Sequence, residues 1–382
     1  MRGHDPAVNL RLVQVPKVIL LLLLAAVSTR PALAEDWKII QAEGRAYVSF
    51  ANVAQFYRFP QFSQVSRTVS LRDERRGIRA QAGTNEFYIN GVRFFSDFPL
   101  VARENENLIS VIDVAKIVEP VLRPNKIKGA KEIDTVVLDP GHGGEDSGTS
   151  GPWGNEKTFA LDVALTAREQ LLRAGFKVEM TRSTDTAVTL EDRVTFANQF
   201  PTAVFISIHF NSARGGSGVE SYALAPAGVP SNASTENHSS SAETEWLEGN
   251  AQDPANIALT AAVHASILSR VSVFDRGVRH ARFHVLREVK IPAVLVEAGF
   301  LNDRVEGARI ATSSYRQKLG QAVAGAVTSY NRAVNFQTSG PTLVAAASNL
   351  PPHSRAIADS LGPPSPASPM PSPPSAAIQN PN

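Results

Sequence analysis

The spacing of apolar positions changes along the chain. Over residues 35–125, apolar and polar residues alternate in short runs such as 46–50, 68–71 and 86–89, with Asn90-Gly91 as a hairpin turn. That pattern predicts a small strand-rich α+β domain. Beyond residue 132, short apolar runs alternate with longer stretches of helical period. Strands are expected over 135–138, 177–181, 203–208, 219–224 and 293–296. Helices are expected over 156–174 (stopped by Gly175), 190–200, 254–272 and 314–333. Strands alternating with helices predict an α/β fold, a mostly parallel sheet covered on both faces.

Three stretches stand outside this scheme. Basic residues up to Lys17 precede the apolar run 18–27, and Ala32-Leu33-Ala34 fits the small-x-small cleavage rule, so residues 1–34 read as a signal peptide. The rival reading, an uncleaved anchor, has only half of the ~20 apolar residues that a spanning helix needs. Cleavage would leave an exported protein, periplasmic or extracellular, without a membrane span. Residues 126–132, Lys-Ile-Lys-Gly-Ala-Lys-Glu, read as a linker. From residue 338 to 382 the chain is rich in Pro, Ser and Ala with little charge, and eleven of its 25 prolines fall after Gly340, which predicts a disordered tail.

Composition narrows the chemistry. Of 382 residues, 43% are apolar and 19% charged, enough to bury a sizeable core. The net charge of +2 comes from residues 1–34, where Arg2, Arg11, Lys17 and Arg30 face only Asp5, so the remainder is nearly neutral and no nucleic-acid partner is expected. There is no cysteine. Disulfides, thiolate metal sites and a cysteine nucleophile are thereby excluded, and any metal must be held by His, Asp and Glu.

In open α/β sheets ligands collect beyond the carboxyl ends of the strands. There the sequence places Asp139-Pro-Gly-His142-Gly-Gly-Glu-Asp146, His209-Phe-Asn211 and Glu297-Ala-Gly-Phe300, with Glu156 at the start of the first long helix. Two imidazoles and two carboxylates on one rim match a catalytic zinc site, with three N/O ligands and a separate carboxylate to take a proton from water. His142, Glu156 and His209 are the expected ligands and Glu297 the expected general base, with Glu220 in reserve. Asp139, Asp146 or a carbonyl would hold the second nitrogen of an imidazole. Arg182, Arg193 and Asn198 are expected to brace loops. His264, His280 and His284 read as satisfied core histidines.

The motif series is Val137-Leu-Asp-Pro-Gly-His-Gly-Gly144, Glu156-Lys157, Thr181-Arg182 with Asp185, Arg193, Ala197-Asn198, Ser207-Ile-His-Phe-Asn211, Arg276-Gly277 and Pro292–Phe300 followed by Asn302. Over residues ~134–333 it resembles the zinc-dependent N-acetylmuramoyl-L-alanine amidases. The resemblance implies a mixed sheet between helices and a catalytic domain over 133–335. It also implies a zinc ion on His142, Glu156 and His209, catalysis by Glu297, and hydrolysis of the amide between the muramic lactyl group and the peptide stem of peptidoglycan. Glu297 would take a proton from water and return it to the leaving amine, without a covalent intermediate.

Residues 225–253 form an insert. Some division amidases of this family carry here a helix whose Glu fills the open zinc position until a protein activator displaces it, and Glu243, Glu245 or Glu248 would be the counterpart; the other reading is a solvated loop. The stretch from Phe87 through Val121-Leu122 weakly resembles the amino-terminal domain of copper amine oxidases and implies no copper. The rival functions are a zinc peptidase acting on wall peptides and a catalytically silent wall-binding regulator.

Overall fold

A computed structural model describes residues 37–232 and 244–336. The signal-peptide and tail expectations, with Glu243, lie outside the described residues. Among the described residues no helix is long and apolar enough to cross a membrane.

Nine strands come first: β1 (Ile40–Ala42), β2 (Arg45–Ser49), β3 (Gln61–Val65), β4 (Thr68–Arg72), β5 (Gly77–Gln81), β6 (Glu86–Ile89), β7 (Val92–Phe95), β8 (Val101–Arg103) and β9 (Glu106–Ser110). Asn90 and Gly91, both at positive φ, turn β6 into β7. After them come β10 (Thr135–Pro140), β11 (Ser150–Gly151), β12 (Gly154–Asn155), β13 (Lys177–Met180), β14 (Ala203–Asn211), β15 (Val219–Leu224), β16 (Asp275–Ala281) and β17 (Ala293–Phe300).

Eleven of these strands form one sheet in the order β13-β10-β14-β17-β15-β16-β7-β6-β5-β4-β3. β13, β10, β14 and β17 are mutually parallel, whereas β15 runs antiparallel to β17 and carries β16 parallel to itself. The sheet is therefore mixed. A single register pair, Val278 with Phe94, continues it from β16 into β7 and so into the strand-rich segment.

On one face lie the helices Glu156–Arg173, Asp253–Arg270 and Ser313–Asn335, packed on Val136, Leu138, Ile206, Ile208, Val294 and Val296. The helices Leu190–Ala197 and His284–Arg287 cover the other face around Val137, Phe205, Tyr222 and Leu295. Strands buried on both faces read as continuous apolar runs, as β10 and β14 do.

Candidate metal centre

β10, β14 and β17 end on one rim. β10 and β14 run in parallel register up to Pro140 and Ile208, and His209 lies opposite Glu297 on β17. Glu156 is the first residue of its helix, where the aligned peptide dipoles favour a carboxylate. Its Oε1 accepts the backbone N–H of Phe210 at 3.0 Å and its Oε2 that of Thr149 at 2.8 Å, so the side chain is fixed before any ion arrives.

The turn carrying His142 is held by charge. Arg182 donates to the carbonyls of Pro140, Gly141, Lys157 and Thr184, and Arg193 to those of Pro140, His142 and Val188. Buried Asp139 receives Arg193 at 2.5 Å, Ser207 at 2.7 Å and Thr181 at 2.6 Å. Both arginines thus brace the turn, and Asn198 ties its helix to Glu288 and Lys290. The turn is also tight enough to demand glycine. A Cβ on Gly141 would strike the His209 ring, and one on Gly148, whose φ is +61°, would come within 2.6 Å of Glu156 Oε2.

Within this frame His142, Glu156 and His209 each offer one donor atom, all within 4.8 Å of one another. His142 Nε2 lies 3.1 Å and His209 Nδ1 2.8 Å from Glu156 Oε1. Donors placed tetrahedrally at ~2.0–2.1 Å from zinc stand about 3.3 Å apart, so the cluster has the size and the N/O chemistry of a metal site. Asp146 bonds the remaining nitrogen of His142, Nδ1, at 2.7 Å, whereas Asp139 touches neither imidazole.

The electrostatics point the same way. Hydrogen bonding to Glu156, opposed by burial, pushes His142 up to about 9. Burial lowers His209, but the Glu156 hydrogen bond and the nearby carboxylates outweigh it and leave a net rise. Burial would raise Glu156, yet the two imidazoles hold it far below the usual carboxylate range. The cluster favours positive charge, and a cation bound there would displace any proton on the donor atoms.

Two carboxylates beside the cluster differ. Glu220, opposite Glu297 in register, is engaged at both oxygens, by Asn211 at 2.7 Å and Arg276 at 3.1 Å. Among the described residues none hydrogen-bonds the buried Oε2 of Glu297, and burial pushes its pKa up to about 7. A model of the N-acetylmuramoyl-L-alanine amidase family matches residues 136–329.

The chain belongs to this family.

The sporulation-specific N-acetylmuramoyl-L-alanine amidase of Bacillus subtilis (strain 168) is 35% identical over 188 residues, 49% of this chain and 64% of that protein. N-acetylmuramoyl-L-alanine amidase CwlM of Bacillus licheniformis is 32% identical over 203 residues, 52% of this chain and 70% of that protein. Among solved structures, the catalytic domain of CwlV, an N-acetylmuramoyl-L-alanine amidase from Bacillus (Paenibacillus) polymyxa var. colistinus, aligns with a TM-score of 0.43 at 31% identity, covering 52% of this chain and 98% of that one.

Within the amidase region, two of the three candidate plug residues lie far from the cluster. Glu248 pairs with Lys290 at 3.7 Å, at the start of β17 rather than its end, and the Glu245 carbonyl accepts from Arg282, beyond the far end of β16. Neither fills a metal position in this arrangement, because both are tied to the opposite ends of the strands. His264 and His280 are buried with carboxylate partners, whereas His284 is half-exposed beside Glu191. Sequence reasoning missed β16, whose alternating Asp-Arg-Gly-Val-Arg-His-Ala lacks an apolar run.

Proposed function

We propose that this chain hydrolyses the amide between the lactyl group of N-acetylmuramic acid and the L-alanine of the peptidoglycan stem, as a zinc enzyme acting in cell-wall remodelling. The observation that carries the reading is the His142–Glu156–His209 cluster with the unpartnered Oε2 of Glu297 beside it. His142, Glu156 and His209 would hold the ion. When bound, zinc supplies Lewis acidity and makes water a nucleophile near neutral pH.

The side chains divide the remaining work. Glu297, set one strand from His209, takes the proton of the attacking water and returns it to the leaving amine of L-alanine. A pKa near neutral suits a group that must both accept and give a proton, and the buried Oε2 has no competing donor. Asp146 fixes the orientation of His142 through Nδ1. Asn211 and Arg276 keep Glu220 occupied, so it holds the floor beside Glu297 rather than accepting protons. Export to the periplasm or the cell exterior, where the substrate lies, is supported by the sequence of residues 1–34.

Product analysis on intact peptidoglycan tests the reading. Released stem peptides with a free amino-terminal alanine and uncut glycans bearing free lactyl carboxylates on their muramic residues are expected. Fragments cut within the peptide would make it a peptidase, and no zinc-dependent release at all would make it a silent wall-binding regulator.

A further inference from the structure

We propose that the strand-rich segment supplies the far half of the substrate groove, taking carboxylates of the peptide stem along a row of guanidinium and aromatic groups from Arg276 over Arg93 and Tyr88 to Arg79. The proposal rests on the amidase reading above for its substrate. The residues of β5 to β7 lie outside the family match, which begins at residue 136.

Register carries the geometry. His209, Glu297, Glu220 and Gly277 are successive partners across β14, β17, β15 and β16. The Val278–Phe94 pair then sets Gly277 beside Arg93, and Arg93, Tyr88 and Arg79 are successive partners across β7, β6 and β5. Partners in register point to the same face of a sheet. One row on one face therefore runs from the metal cluster into the strand-rich segment. With strands ~4.8 Å apart, β7 stands about 14 Å from Glu297, the span of about four residues of extended peptide.

The join is tight. Gly277 has φ +93°, and a Cβ there would lie 2.8 Å from the Phe95 ring, so the glycine lets Phe95 of β7 close over the rim. That ring stacks with two guanidinium groups, Arg279 at 3.5 Å and Arg93 at 4.9 Å. Arg79 lies 5.2 Å from the Tyr88 ring.

Charge identifies the occupant. Among the described residues Arg79 Nη2 and Arg93 Nε are buried without hydrogen-bond partners, which is costly, whereas Arg279 Nε stands 3.9 Å from Glu220 Oε2. Arg276 is bound to Glu220 only through Nε, and its side chain is 31% exposed. Glu86 pairs with Arg93, and Asp275 accepts the Arg93 backbone N–H, so these acids answer part of the charge, and among the described residues no acid pairs with Arg79 or with the outer edge of Arg276. On the opposite side of the cluster Arg182 and Arg193 are taken up by carbonyls and Asp139. Carboxylates in the substrate lie on the peptide side of the scissile amide, and the planar fork of arginine suits them. The stem therefore leads toward β7 and the glycan away from it.

Two measurements test this. For hydrolysis, a muramoyl tetrapeptide with free carboxylates is compared with a muramoyl-L-alanine amide. The wild-type chain should prefer the longer substrate, and Arg79→Gln with Tyr88→Ala should reduce the ratio of the two kcat/KM values about fivefold to tenfold, through KM rather than kcat, with Arg79→Lys restoring part of it. For binding, the free tetrapeptide stem is titrated calorimetrically into both chains, and the variant should bind it more weakly by a similar factor. An unchanged ratio, an equal loss on both substrates, or unchanged binding of the stem overturns the platform. A wild-type chain that binds the stem but cleaves neither substrate overturns the amidase reading instead.

Discussion

Two clusters of imidazole and carboxylate groups sit on the same sheet. At the rim, His142, His209 and Glu156 meet at the ends of β10 and β14. At the joint between β16 and β7, His280 Nδ1 contacts Asp97 at 2.6 Å, and Asp113 accepts the Asp97 backbone N–H at 2.6 Å and the Ser110 hydroxyl at 2.7 Å. The ingredients are nearly the same. At the rim the His142 and His209 side chains are 25% and 20% exposed and the donor atoms converge on one point, whereas at the joint the His280 and Asp97 side chains are 2% and 0% exposed and their bonds knit two parts of the chain together. Exposure and convergence of donor atoms, not composition, separate a site for chemistry from a structural lock.

The largest expected effects break this comparison directly. Glu297→Gln should retain zinc and lose about 10²–10⁴-fold in turnover, measured with dye-labelled peptidoglycan. His209→Ala should lose both metal and turnover. His280→Ala should leave the metal content of folded protein intact but destabilise the fold by about 3–5 kcal/mol in chemical denaturation, because Asp97 then remains buried without its partner. If His280→Ala emptied the metal site, the two clusters would be one system.

A smaller effect sharpens the role of Asp146. Asp146→Asn should weaken zinc binding about 10–100-fold in a competition titration, since only the partner of His142 Nδ1 changes.

The smallest concerns pH. Burial pushes Asp113 up to about 8, so the native state holds a proton that the unfolded chain releases near its ordinary value of 3.8. The resulting stabilisation is complete below about 3.8 and is lost as pH rises through about 8. His280 has the same sign, its pKa raised overall because the Asp97 charge and hydrogen bond outweigh burial. Melting temperature should therefore fall between pH 4 and pH 8 from this joint, and Asp113→Asn should flatten the slope in calorimetric scans.

The rim was legible because its residues carry local signals. His142 sits among glycines after an apolar run, His209 and Glu297 follow or close the apolar runs of β14 and β17, and Glu156 opens a long helix. The joint left no such trace. β16 reads as charged and polar because its two faces meet Glu220 and Phe95 on one side and Asp97 on the other, contacts made 56 to 184 positions away. The brace of Arg182 and Arg193 was foreseeable as a role but not in its targets, since carbonyl acceptors carry no sequence signature. The glutamates of the insert are named from family resemblance, which does not fix where its second half runs, whereas Lys290 and Arg282 do.

Metal analysis of the purified chain, combined with anomalous scattering at the zinc edge from crystals, tests the central claim most directly. The account predicts one zinc per chain, with its density between His142, Glu156 and His209, and none in His209→Ala. A chain that hydrolyses peptidoglycan with no metal bound there, or that holds its zinc elsewhere, would contradict it.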